Sequence, residues 1–431
     1  MTHIRYAAVA ACSVVVLASA PAFDLDLPPI NYATATPDNA VAPLAAHVRS
    51  GKVVLKHDDD HGYLASLLGH LDIPLSSQVL VFSKTSMQRS RIGPKTPRAI
   101  YFNDDVTVGF CRRGDVIEIA TADPVLATAY YTLDQNPAGG AAFKRETESC
   151  LLCHASSANQ GLPGHLIRSV SVDRTGELLL ARGTKRVDHS TPFADRWGGW
   201  YVTGTSGKQT HQGNRVYAGR ADESAGSDAS DGSNVTDLKP YFTAADYPTP
   251  HSDVVALMVL EHQGEGHNRL ARANLLTRTA LAEQADLNRA FGRPAGERSE
   301  GITRRIHGAC EPLVEYLLFG EEAPLTGAVA GTSGFAKEFT ARGPFDAKGR
   351  TLREFDLRTR LFRYPLSYLV HSRAFDGLPP EAKERVYRRL WEVLSGKDRS
   401  KAFAHLSAAD RAAVSDILRA TMRDLPAYWK A

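Results

Sequence analysis

Between residues 78 and 120 the chain passes through four short apolar segments, QVLVF (78–82), RAIYF (98–102), VTVGF (106–110) and DVIEIA (115–120). Turn chemistry such as Asn103-Asp104-Asp105 and Arg113-Gly114 separates them. Runs this short, rich in β-branched and aromatic residues and bounded by Asn, Asp and Gly, predict strands. Past residue 250 the apolar period changes. Val386, Leu390, Val393 and Leu394 recur at helical spacing after Pro379-Pro380. Val414, Ile417, Leu418, Thr421 and Leu425 do the same behind Ser407 and Asp410, which resemble a capping box. The predicted fold class is therefore α+β, with a β-rich N-terminal half and a mainly α-helical C-terminal half. HLIRSVSV (165–172) and ELLLA (177–181), flanking Asp173-Arg174-Thr175-Gly176, predict a hairpin in the first half.

The segment ADESAGSDASDGS (221–233) is small, acidic and aperiodic, and marks a boundary between the halves. The expected organisation is a signal peptide over 1–22, a β-rich region holding a cysteine pair over 23–220, a flexible linker over 221–250 and a mainly helical region over 251–431. The signal peptide follows from Arg5, the apolar run from Tyr6 to Leu17 and the small residues Ala18-Ser19-Ala20 before Pro21. A membrane anchor competes with it, but the run is shorter than the ~20 residues a span needs. Val9-Ala10-Ala11-Cys12 resembles a lipoprotein signal, although the apolar run continues beyond Cys12. The expected location is the bacterial periplasm or the exterior, with no integral membrane segment once the signal is removed.

Composition narrows the class. Of 431 residues, 43% are hydrophobic and 23% charged, enough to bury a sizeable core. Lys and Arg number 51 against 48 Asp and Glu, a net charge of +3, so no electrostatic footprint for nucleic acid or an anionic membrane is present.

Against that background the stretch ESCLLCH (148–154) is unusual, since the chain has only five cysteines. Loss of a signal peptide would remove Cys12 and leave Cys111, Cys150, Cys153 and Cys310. In an oxidising compartment Cys111 and Cys310 either pair or remain two buried thiols. For the close pair, three explanations compete: covalent haem attachment, a redox-active dithiol, or coincidence. The spacing C-x-x-C-H lets two thioethers and one imidazole reach a single haem from one turn of chain. A redox dithiol instead sits at the start of a helix following a strand, whereas DQNPAGGAAFKRETES (134–149) is polar and turn-rich. Structural zinc would require a second spaced Cys/His pair, and none is visible.

The segment RETESCLLCHASSANQGLPGH (145–165) resembles the haem-attachment region of c-type cytochromes. More loosely, TPFADRWGGWYVTGTSG (191–207) and VVALMVLEHQ (254–263) are similar to large exported bacterial proteins of a cytochrome-c-domain type. That resemblance implies one covalent haem c, with thioethers at Cys150 and Cys153 and His154 as the iron ligand. The chain is several times longer than a small electron carrier, so the remainder must do something besides hold one haem.

The residue opposite His154 would set the chemistry. A Met or His ligand makes an electron-transfer site, while an open position admits peroxide or another small oxidant. The candidate distal residues are His262, Met258 and His189. Met258 stands four residues before His262, so both can share a helical face. His211, His267 and Glu261 belong to the same polar groups, with Arg196 or Arg182 as partners for a propionate or for bound peroxide. Trp197, Trp200 and Tyr201 either pack on a porphyrin or fill the core. HDDDH (57–61) reads as a solvated turn. No second C-x-x-C-H is present, as a dihaem peroxidase would require, and no Gly-x-Ser-x-Gly elbow supports a serine hydrolase.

The expected function is an exported monohaem c-type cytochrome acting in electron transfer with a redox partner protein. The alternatives are a haem enzyme with an open distal site acting on a small oxidant, and a haem-containing sensory or binding protein.

Overall fold

The four apolar segments of the first half become neighbouring strands of one sheet. In the computed structural model, which describes residues 24–217 and 232–429, they are β1 (Val79–Val81), β2 (Arg98–Phe102), β3 (Val106–Phe110) and β4 (Val116–Asp123). Two further strands extend the sheet, β5 (Ala127–Asp134) and β6 (Phe143–Glu146). Neither was expected. ATAYYTLD in β5 is buried at every position but Asp134, so it lacks the two-residue alternation that marks a strand with one wet face. β6 lies inside the stretch read as turn-rich.

After β7 (Arg168–Val170) and β8 (Thr184–Arg186), the strand β9 (Trp200–Tyr201) returns to pair with β1. The result is an antiparallel seven-stranded sheet of order β6-β5-β4-β3-β2-β1-β9. Two short ribbons accompany it. One is β7 with β8, the other β10 (Gly204–Thr205) with β11 (Ala330–Gly331).

The pleat divides the core. Val79, Val81, Ile100 and Phe102 face one side, and Leu80, Phe82, Ala99 and Tyr101 the other. The second face is covered by α1 (Val41–Arg49) and α2 (Leu64–His70) through Val41, Leu44, Leu64, Leu67 and Leu68. The one-turn α3 (Leu151–His154) follows β6 with Leu151 packed against the second-face core, and the long α4 (Val254–Ala290) starts on the first face. Asp253 caps α4 by accepting from the amides of Val255 and Ala256, at 2.8 and 3.3 Å. α4 then packs with α5 (Glu300–Leu317), α6 (Phe335–Ala341), α7 (Arg373–Asp376) and α8 (Pro380–Leu394), and α9 (Ala408–Thr421) lies against α8. One continuous core thus joins strands of the first half to helices of the second. The fold is α+β, as the change of period predicts.

Three details differ from expectation. The turn at Asp173–Gly176 forms, with Asp173 Oδ1 accepting from Thr175 and Glu177 amides, but residues 177–181 give only an isolated bridge from Leu178 to Val172. Leu180–Arg182 is a 3-10 turn with Leu180 exposed, so nothing rewards a ladder there, and β7 pairs with β8 instead. The Ser407/Asp410 capping box opens α9 as expected, yet the helix ends at Thr421 with Met422 extended, leaving Leu425 beyond it. Residues 232–250, assigned to a linker, bury Leu238, Phe242, Ala244 and Tyr247 in the core.

The expected signal peptide and residues 218–231 lie outside the described residues. Among those described, no helix is long and apolar enough to cross a membrane. α4 has the length, at 37 residues, but carries Glu261, His262, Glu265, His267 and Arg269 in its middle.

Candidate functional site

The cysteine motif folds into a single helical turn. Cys150 occupies the N-cap of α3, and its carbonyl accepts from the amides of Cys153 and His154 at 3.3 and 3.0 Å. A separation of three residues on such a turn places the two thiols on one side of it. Cys150 is half-buried and Cys153 exposed, and the two are not bonded to each other. Upstream, Glu146 of β6 accepts from Ser149 Oγ and from Thr132 Oγ1, each at 2.9 Å, tying the turn to the sheet.

The motif does sit at a helix start after a strand, β6, as a redox dithiol would, but Cys150 lacks the activated thiol of one. Burial pushes the Cys150 thiol up to about 11, with the Glu146 and Glu118 carboxylates adding to the effect. A nucleophilic thiol needs the opposite, a depressed value from a cation or a helix terminus. Cys111 and Cys310 are likewise free, buried, and pushed up to about 12 by desolvation. The pairing left open by the cysteine count is not made.

His154 is held by Gly164. The ring Nδ1 lies 2.8 Å from the Gly164 carbonyl oxygen, and the Gly164 amide donates back to the His154 carbonyl at 3.2 Å. A carbonyl only accepts, so Nδ1 carries the hydrogen, and Nε2 presents a lone pair that no other described residue engages. Burial pulls the imidazole below its ordinary range, with the Gly164 hydrogen bond opposing, so the ring is neutral at pH 7. The chain reverses between the two through Gln160 and Gly161, both at positive φ. Asn159 Nδ2 clamps the reversal by donating to the carbonyls of Leu162 and His154, at 2.7 and 3.3 Å.

Gly164 itself sits in a tight cradle. A Cβ there would lie 2.2 Å from Asn159 Nδ2 and 2.3 Å from Asn268 Oδ1. Asn268 belongs to α4 and brackets His165, accepting from its amide at 2.8 Å and donating to its carbonyl at 3.0 Å. Through this bracket the long helix fixes the loop that orients His154. Tyr130 on β5 completes the group: its hydroxyl donates to the same Gly164 carbonyl at 2.8 Å, and its ring centroid is 5.0 Å from that of His154.

The distal candidates form a different group. His189 and His262 are fully buried, stacked on each other and on Tyr316, with Nδ1 to Nδ1 at 2.8 Å. His189 Nε2 reaches the Gly320 carbonyl at 3.3 Å, and His262 Nε2 lies 2.8 Å from Ser367 Oγ. All four ring nitrogens are therefore taken by protein. Met258 packs in the core shared by sheet and helices. The structure brings His189 and His262 together, leaves Met258 in the apolar core, and shows no contact from any of the three to His154.

Arg196, Trp197 and Glu261 stand beside that pair. Arg196 donates to Glu261 and to the His189 carbonyl, and Trp197 Nε1 donates to the second Glu261 oxygen at 3.0 Å. Burial pushes the Glu261 carboxyl up, and Arg196 pulls against it. Trp200 and Tyr201 lie in β9, and His211 is buried against Trp197. His267 lies beside His165, ring centroids 5.8 Å apart, and donates from Nε2 to the Asp104 carbonyl at 2.7 Å. Arg182 stacks over Tyr217.

The residues around the motif fit a covalently attached haem. They provide two unpaired thiols on one turn, a neutral imidazole oriented through Nδ1, and a bare Nε2, the arrangement in which an outer carbonyl fixes a metal-binding histidine. Leu152, 81% exposed beside the thiols, is an apolar side chain with nothing of the protein over it. Gly164, Asn159, Asn268 and Tyr130 were not among the sequence-derived candidates. Only Gly164 had a local signal, in the Gly-Leu-Pro-Gly run behind the motif. Among the described residues no three His, Cys, Asp or Glu side chains converge on a common metal position, His57–His61 included. No family model, curated protein or solved structure matches this chain.

Proposed function

We propose that this protein is an exported c-type cytochrome that carries one haem on Cys150, Cys153 and His154 and exchanges single electrons with a redox partner protein. The observation that carries the reading is the bond from His154 Nδ1 to the Gly164 carbonyl, which leaves Nε2 unengaged on the same turn as two free thiols. When bound, the haem supplies a ferric/ferrous couple. The chain's own residues do the rest. Cys150 and Cys153 offer the sulfurs for the two thioethers, Gly164 orients the imidazole, and Asn159 and Asn268 hold Gly164. The N-terminal pattern of Arg5, apolar run and small residues supports export to the periplasm or beyond, where such attachment is carried out.

One observation favours a second reading for the sixth coordination position. Since His189 and His262 have every ring nitrogen engaged and Met258 is in the core, none of the three is free to close the site. That supports an exchangeable position and with it a haem enzyme acting on peroxide or another small oxidant.

The test begins with the full chain matured in an exporting host with haem-attachment machinery. It should stain for haem on a denaturing gel, and Cys150→Ala should leave a single thioether by mass spectrometry. A colourless wild-type product would overturn the proposal. Rapid carbon monoxide binding by the ferrous protein would favour the open-site reading, and its absence the simple carrier.

A further inference from the structure

Gly164 presents one carbonyl to two donors. A carbonyl oxygen has two lone pairs, and here both are used, by His154 Nδ1–H and by the Tyr130 hydroxyl, each at 2.8 Å. Tyr130 has no latitude to move away. It lies in the middle of β5, opposite Ala120 of β4 and Glu146 of β6, and is 3% exposed. Its neighbours Ala129 and Tyr131 point into the core on the far face of the sheet, so Tyr130 points toward the motif. The carbonyl has no hydrogen to give, so the Tyr130 hydroxyl is the donor in this contact.

Two donors on one oxygen compete for its electron density, so each bond is weaker than it would be alone. A weaker bond at Nδ1 leaves the imidazole less imidazolate-like and Nε2 a poorer electron donor. We propose that Tyr130 is a positioning residue for His154: by sharing the Gly164 carbonyl it fixes the plane of the imidazole and limits the electron donation of Nε2 to iron. The inference rests on the haem reading above and adds to it a residue on a distant strand that tunes the site.

Tyr130→Phe keeps the ring and removes the donor. In the haem-loaded full chain the midpoint potential should fall, because an imidazole bonded more strongly through Nδ1 favours the ferric state. The Nδ1–H proton resonance of His154 should move downfield. Installing 3-fluorotyrosine at position 130 strengthens the hydroxyl as a donor and should move both readouts the other way, which decides the matter even where the phenylalanine variant does not fold. An unchanged potential and resonance in loaded protein of either kind would overturn the role of Tyr130 while leaving the haem intact. A wild-type chain without covalent haem would remove the function and this inference together.

Discussion

His189 and His262 meet through their Nδ1 atoms, 2.8 Å apart in the core, and the proton between them has only one place to sit. The Gly320 carbonyl can only accept, so His189 Nε2 carries a hydrogen and, in a neutral ring, His189 Nδ1 has none. His262 Nδ1–H must then donate to it, and His262 Nε2 accepts from Ser367 Oγ–H. Ser367 Oγ in turn accepts from the Leu369 amide at 3.2 Å. Four hydrogen bonds form a single directed chain with every member satisfied, which is how a buried polar network avoids the penalty of an orphaned nitrogen.

Breaking that chain at its serine should be costly. Ser367→Ala leaves His262 Nε2 buried with no donor, at an expected loss of about 1–3 kcal/mol. Urea unfolding should show a lower midpoint with an unchanged slope. On the haem reading, the absorption spectrum should be unaffected, since the chain does not touch His154.

Acid should destabilise the protein before most carboxylates protonate. Burial pulls His189 and His371 down to about 4 and His165 and His211 down to about 3, and it pulls His262 down as well. Each is neutral when folded and takes up a proton when unfolded below about pH 6.5. The unfolded state therefore binds more protons between pH 6.5 and 4. The histidine contribution to stability is full above that window and falls as pH drops through it, by up to about 1.4 kcal/mol per pH unit for each histidine. Glu322, pushed up to about 7 by burial, runs the other way, as does Glu261, but the histidines outnumber them. Urea midpoints should rise modestly from pH 8 to about 6.5, as Glu261 and Glu322 take up protons in the folded state, and then decline towards pH 4 as the histidines dominate. A midpoint that kept rising below about pH 6 would contradict the assignment of these rings as neutral.

The Gly164 cradle predicts a coupled pair of substitutions. Gly164→Ala drives a Cβ into Asn159 and Asn268 and should cost about 1–3 kcal/mol, as overpacking does. In an Asn268→Ala background the obstacle on α4 is gone, so the same change should cost less. A double-mutant cycle by urea denaturation reads the difference. Strict additivity would mean that α4 does not brace the loop.

Thiol reactivity distinguishes the cysteines. In chain produced without haem attachment, the exposed Cys153 should be alkylated first by iodoacetamide at neutral pH. Cys150, pushed up to about 11, should follow slowly, and the buried Cys111 and Cys310 should react only in denaturant. On the haem reading, neither Cys150 nor Cys153 should be alkylated in matured protein even after unfolding. Peptide mass spectrometry checks both states.

Much of the fold could be read from local pattern. The strands at residues 79–123 announce themselves because they are short runs of β-branched and aromatic residues with turn chemistry between them, and α8 and α9 because their apolar stripes repeat at 3.6 residues behind a proline pair and a capping box. β5 escaped because its letters mix Ala and Thr with Tyr and Leu rather than forming a run of strong strand formers, although seven of its eight residues are buried. The ELLLA run failed in the opposite sense, apolar in letters but without a surface to cover.

The site divides along the same line. Cys150, Cys153 and His154 lie within five residues, so the order of the chain alone places two thiols and an imidazole on one turn, whatever surrounds them. The direction that imidazole faces, and the partners of its Nδ1, depend on Gly164, on Asn268 more than a hundred residues downstream, and on Tyr130 in a strand with no local signature. Spacing along a helix cannot distinguish a histidine that offers a lone pair from one whose nitrogens are already engaged. His262 was a candidate by its neighbours in the chain and became half of a closed hydrogen-bond chain through His189 and Ser367, because hydrogen bonds between distant segments form only once packing has brought them within 3 Å.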